Sequence, residues 1–150
     1  MIAMNNTSNV DTIEDYTLYC LDRSTEGIDM LADDARACSD AIDASQFEMA
    51  RRIFLSLVSN LQSLDKFEYQ LCSLFQIDTG TLSDREGSLD TTERAFRATL
   101  LDMGSRLETG DLPGLSIVLR KRLTPILARF RNLLPLLKTH IAENYVPAHT

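Results

Sequence analysis

Apolar residues recur at helical spacing along almost the whole chain. Leu21, Ile28, Leu31, Ala35, Cys38 and Ile42 follow steps of seven, three and four, which puts them on one face of a helix. Asp11 or Thr12 can cap its start. A second stripe, Ala50, Phe54, Leu57, Leu61, Leu64, Leu71 and Phe75, follows Ser45 and Glu48, whose S-x-x-E spacing is that of a capping box. A third helix starts at Asp90, with Glu93 three residues on, and carries Phe96, Leu100, Met103 and Leu107. It stops at Gly110, since glycine takes the left-handed conformation without a Cβ penalty. Asp111 caps a fourth helix with Pro113 in its first turn, where a missing amide proton costs nothing. No alternating run of β-branched and aromatic residues is bracketed by hairpin dipeptides. The pattern predicts an all-α, single-domain bundle of four helices, paired as two antiparallel hairpins that turn at "AIDASQF" and "RLETGDLPG".

The segment "DTGTLSDREGSLD", residues 78–90, is polar and glycine-bearing and reads as an exposed crossing between the hairpins. As a calcium loop it fails: setting Gly87 at the sixth position puts Leu82 first, where a carboxylate belongs. Residues 1–10 read as a flexible tail and residues 144–150 as a frayed one, leaving one domain over 1–150. Sliding the chain by 65 positions lays Leu31 on Phe96, Ala35 on Leu100, Cys38 on Met103, Ile42 on Leu107, Phe47 on Leu112, Phe54 on Leu119 and Leu61 on Ile126. The match is one of apolar pattern, without residue identity.

The fourth helix is basic as well as apolar. Leu115, Leu119, Leu123, Ile126, Leu127, Phe130, Leu133, Leu134, Leu137 and Ile141 gather into an arc about 120° wide at 100° per residue. Arg120, Arg131 and Lys138 line one edge, Arg122 and Arg129 the other, and Lys121 points away. Pro125 and Pro135 fall opposite the arc, where each frees a carbonyl to water and bends the helix around its core. This is a core helix with basic flanks. No aromatic residue interleaves the basic ones, so bases have no stacking platform.

Composition adds little beyond a globular class: 44% of the residues are hydrophobic and 25% charged. Charge adds more. The formal net charge is −7, which repels nucleic acid and anionic lipid on average. Residues 1–45 carry ten acids and two bases, whereas residues 112–142 carry six bases and no acid. The first ten residues lack the basic and apolar regions of a secretory leader. No apolar run approaches the ~20 residues that span a bilayer. The expected compartment is the cytoplasm, without membrane attachment. Cys20, Cys38 and Cys72 match neither a redox pair nor a zinc ligand set, and read as reduced thiols.

Candidate chemistry is sparse. Asp15, Asp22, Glu26, Asp29, Asp33 and Asp40 share a stripe opposite the apolar one and face outward, whereas di-iron bundles need inward carboxylates and a Glu-x-x-His repeat. The two histidines, His140 and His149, lie in the last eleven residues, far from any nucleophile with a base beside it. No phosphate loop occurs. The reading is non-enzymatic, with no cofactor and no metal.

What remains is contact surface. Leu55, Val58, Tyr69 and Cys72 give the second helix an additional apolar side. Thr25, Gly27, Ala32, Ser39 and Ala41 flank the first stripe with small residues that let a helix approach closely. Tyr16, Tyr19 and Tyr145 suit a contact rim. The expected function is a helical protein-binding or assembly module, engaging a partner helix or a second copy of itself. Opposed charges favour the latter as a two-fold dimer. The contact residues are Tyr16, Tyr19, Asp22, Glu26, Asp29, Asp33, Leu55, Val58, Tyr69, Arg120, Arg122, Arg129 and Arg131. Two alternatives stand: a basic helix that binds nucleic acid or an acidic partner, and a ligand-binding or enzymatic bundle without a visible motif. In outline, from Asp15 to Leu137, the two hairpins with their "AIDASQF" and "LETGDLPG" turns are similar to small bacterial helical chaperones of the flagellin-export kind. That resemblance, which contains no diagnostic motif, implies cradling of a partner's helices.

Overall fold

A computed structural model describes residues 13–144. The helices are α1 (Ile13–Asp43), α2 (Phe47–Leu74), α3 (Leu89–Glu108), α4 (Leu112–Val118) and α5 (Thr124–Asn144), with a π turn over Leu119–Leu123 joining α4 to α5. Helical dihedrals persist through Leu119 and Thr124, so α4, the π turn and α5 form one rod. The chain is therefore a four-helix bundle of two hairpins. The expected cap at Asp11 or Thr12, the N-terminal tail and Tyr145 lie outside the described residues.

Three helices end in the same way. Ser45, Gln76 and Gly110 sit at φ 59°, 53° and 73°. Their N–H groups bond Ile42, Ser73 and Leu107, and the following N–H groups bond Ala41, Cys72 and Arg106. That is the Schellman closure. It corrects the capping box expected at Ser45 and Glu48: Ser45 closes α1, and Gln46 precedes α2 with no side-chain cap. It also matches the two hairpins, since Asp43 and Glu108 end their helices, and Phe47 and Leu112 start theirs, each 65 residues apart.

Residues 78–90 are more ordered than their polarity suggested. Ser83–Asp84 and Gly87–Ser88 form a short antiparallel hairpin, and Ile77, Leu82 and Leu89 are buried beneath it. Gly87 turns at φ 144°. The third helix starts at Leu89 rather than Asp90, because Ser88 and Thr91 form the capping box instead. Asp111 caps α4 by accepting from Gly114 N at 3.0 Å, with Pro113 in the first turn.

The π turn sits directly before Pro125. Thr124 N–H reaches back to Leu119 O, and the widened turn relieves the clash that a proline ring makes with the carbonyl four residues back. Pro135 lies inside α5, and both prolines are exposed. The core runs as expected through Leu21, Ile28, Leu57, Leu61, Phe96, Leu119, Leu127 and Ile141. Phe96 and Phe130 meet edge to face at 5.3 Å. Leu107 departs from its stripe and is 47% exposed.

α1 is the spine, packing along α2 on one side and along α4 and α5 on the other, while α3 packs on α4 and α5. The small flank of α1 admits α4 closely: Ser39 and Ser116 hydroxyls lie 2.6 Å apart, and Ser116 also donates to Asp43 at 2.7 Å. The backbones thus approach along three sides of the bundle, with one hollow of about 310 Å³ between α1 and α2, walled by Met30, Leu31, Leu64 and Phe67. On the fourth, between α2 and α3, the backbones do not approach along their lengths.

Candidate functional site: the open side between α2 and α3

Two adjoining hollows occupy that fourth side. One, of about 630 Å³, is lined by Phe54, Val58, Gln62, Arg97, Leu100, Leu101, Met103, Gly104 and Leu107. The other, of about 310 Å³, is lined by Ile42, Phe47, Ala50, Arg51, Phe54, Leu55, Leu107, Leu112 and Leu115. They meet at Phe54 and Leu107 and form one apolar groove. Leu101 is 77% exposed, and Phe47 and Leu55 are each about half exposed. Large apolar side chains are left in water here because nothing from the opposite helix covers them.

Helical periodicity explains the lining. On α2 the core stripe passes through Ala50, Leu57 and Leu61, whereas Phe47, Arg51, Val58 and Gln62 lie about a quarter turn to one side. On α3, Leu101 follows Leu100 by one residue and so leaves the core face. The lower end is closed by Arg97, 3.7 Å from Asp65. Beyond it the two helices carry buried carboxyls, Glu68 and Glu93. Burial raises the Glu93 carboxyl above the usual range; the Arg97 charge opposes that rise and the Asp65 charge adds to it.

Of the residues expected to make contacts, Leu55 and Val58 line the groove. Tyr69, eleven residues from Val58 and 64% exposed, continues the same face of α2. Tyr16 and Tyr19 lie apart from it near the start of α1, their rings 6.5 Å from each other, with Arg23 over Tyr19.

Most of the charged candidates pair within the molecule. Lys138 bonds Asp22 at 2.6 Å, Arg131 bonds Asp29 at 2.7 Å, and Arg120 bonds Asp40 and Asp43 at 2.9 and 3.0 Å. Asp22, Asp29 and Asp40 are spaced by seven and eleven residues, as are Lys138, Arg131 and Arg120. The two helices interlock in antiparallel register. On the other edge Arg122 pairs with Asp102 of α3. Arg129 grips Asp84 through two bonds of 2.8 Å and reaches Gly87 O. That grip, with the Glu86 amide, holds the Asp84 carboxyl down at about 2. Asp33 pairs with Arg36 along α1, and Glu26 stays exposed. The opposed charges that pointed to a two-fold dimer therefore meet inside one chain.

Phe47, Arg51, Arg97, Leu101 and Leu107 were not singled out from sequence as contact residues. Leu101 carried a signal, as the one large apolar residue of its helix off the core stripe. No group of three or more His, Cys, Asp or Glu side chains that could hold a metal occurs among the described residues. No helix among them is long and apolar enough to cross a membrane. Comparison with known protein families, curated proteins and solved structures finds no match to this chain.

Proposed function

We propose that this protein is a non-enzymatic binding module that receives an amphipathic helix of a partner protein in the groove between α2 and α3. The observation that carries the reading is the open side between α2 and α3, which holds the hollow of about 630 Å³ and is lined in part by Leu101 at 77% exposure. Contiguous exposed apolar surface of this kind marks interaction sites, and a helix laid between two antiparallel helices completes the packing they lack. Covering Leu101 alone recovers roughly 1.5–3 kcal/mol of burial. Binding through the basic edges of the π turn and α5, whether to nucleic acid or to an acidic protein, is less supported, since Arg120, Arg122, Arg129 and Arg131 hold partners within the chain.

A photo-crosslinking amino acid placed at Leu101 in the native host tests this, with exposed Thr139 on α5 as the control position. The expected product joins Leu101 to one discrete partner segment of amphipathic helical sequence, with no such product from position 139. No product at Leu101, or a product with this chain itself, refutes the reading.

A further inference from the structure

We infer that the occupant of the groove is a helix whose apolar stripe is flanked by acidic residues, read by Arg51 at one end and Arg97 at the other. The inference rests on the groove being a helix-binding site, and adds the chemistry of what binds.

The chain as a whole is acidic, at −7, yet the charged side chains lining the groove are two arginines and no acid. Their pairing is looser than that of four arginines elsewhere in the chain. Arg106, Arg120, Arg129 and Arg131 donate hydrogen bonds to carboxylates at 2.7 to 3.1 Å. Arg51 stands 3.8 Å from Glu48, and Arg97 stands 3.7 Å from Asp65. Both distances lie outside hydrogen-bond reach. Arg51 and Arg97 are thus paired loosely, with Glu48 and Asp65, and keep N–H groups not engaged in hydrogen bonds to those acids beside an apolar trough; a planar guanidinium with such N–H groups recognises a carboxylate in two-pronged fashion.

Their placement sets a spacing for the guest. Arg97 meets α2 at Asp65, fourteen residues from Arg51, which is about 21 Å along a helix. Arg51 stands on the α2 wall and Arg97 on the α3 wall. A guest of roughly four turns, with one acidic residue near each end on opposite flanks of its apolar stripe, satisfies both. A lysine-flanked helix of the same apolar content meets two like charges and is disfavoured.

The test is selection of a displayed library of helical peptides, with fixed leucines at core spacing and random flanks, against the full-length protein. Leu101→Asp serves as the counter-target. Its circular dichroism and urea midpoint are expected to match those of the parent, because the residue is exposed. The expected result is enrichment of Asp and Glu at the flanks of peptides that lose binding to Leu101→Asp. Arg51→Glu and Arg97→Glu should each weaken those peptides roughly tenfold at low salt, and the double variant should favour Lys-flanked versions instead.

Groove-dependent peptides with no acidic bias, or with affinities indifferent to the two arginine changes, overturn this inference and leave the groove reading standing. Failure to select any peptide sensitive to Leu101→Asp overturns the groove reading and the inference with it. A dimer by light scattering that Leu101→Asp dissociates makes the occupant a second copy, which also overturns it.

Discussion

Replacing Glu68 with methionine should make this protein more stable, and the structure sets the size of the effect. Glu68 is 5% exposed on the inner face of α2, and its Oε1 has no hydrogen-bond partner among the described residues. Its other oxygen has only the weak Cys72 thiol at 3.9 Å. The carboxyl borders a cavity of about 20 Å³ whose walls include Leu21, Ile28, Phe67, Leu71, Leu89 and Phe130. A buried polar atom left unpaired costs roughly 1–3 kcal/mol. Methionine removes that cost, and filling the void recovers about 0.5 kcal/mol more at ~24 cal/mol per Å³. Being unbranched, it follows the same path as the glutamate. The expected gain is roughly 2–3 kcal/mol, or about 4–12 °C in Tm for a domain of this size. Urea unfolding followed by circular dichroism at 222 nm reads it directly. Unchanged or reduced stability in a variant with native helicity would refute the reasoning. It would mean that the carboxyl is satisfied in place, for which one water in that cavity suffices.

Three further outcomes are expected. Asp84→Asn should lower the urea midpoint by an amount that depends on pH: the wild-type aspartate, held at about 2 when folded against ~3.9 unfolded, contributes stability above pH ~4 that is lost as pH falls through about 2, so a pH-independent gap refutes the pairing with Arg129. Gly114→Ala should cost roughly 1–2 kcal/mol, because the new Cβ runs into the Asp111 carboxylate that caps α4 and the Arg106 guanidinium that holds it; an unperturbed melting curve would mean that the cap contributes nothing. Burial pushes the Cys38 and Cys72 thiols up to about 11, so at pH 8 one equivalent of a thiol reagent should react quickly, at half-buried Cys20, and two more only after unfolding.

The helices and their core were legible in the sequence because burial there depends on one variable, angular position around the helix axis. Leu57, Leu61, Leu119 and Leu127, all at 0% exposure, sit where 100° per residue puts them. So do the basic flanks: Arg120, Arg131 and Lys138 fall on the edge that meets α1, and Arg122 and Arg129 on the edge that meets α3 and the hairpin. What angular position does not reveal is which helix stands opposite. The acids of α1 and the basic flanks of the fourth helix could not be matched to each other, because periodicity assigns faces without assigning neighbours. Ser45 misled for a related reason. Its hydroxyl fits a capping box in sequence, yet its backbone is needed in the left-handed region to end α1, and one residue cannot serve both roles. The open side was legible only in part. Leu55 and Val58 announced extra apolar surface on α2, but that α3 stands away from it is a property of packing between helices distant in sequence.

Two departures from a closed apolar core involve α2. Its upper half faces the groove, and its lower half carries Glu68, whose Oε1 has no hydrogen-bond partner among the described residues. A bundle selected for stability alone would close α3 onto Phe54, Leu55 and Val58 and fill the Glu68 site with an apolar residue, since each step recovers a few kcal/mol. The ion pairs between helices do not compensate, because pairs this exposed contribute roughly 0–1 kcal/mol each. Their matched seven- and eleven-residue spacing fixes the register of α1 against the fourth helix instead. With that pair locked, and α3 held on the fourth helix, α2 is the element attached along a single neighbour. The surface left uncovered by that arrangement is apolar and edged by two arginines paired only loosely, with Glu48 and Asp65, which is the surface of this protein best fitted to receive something else.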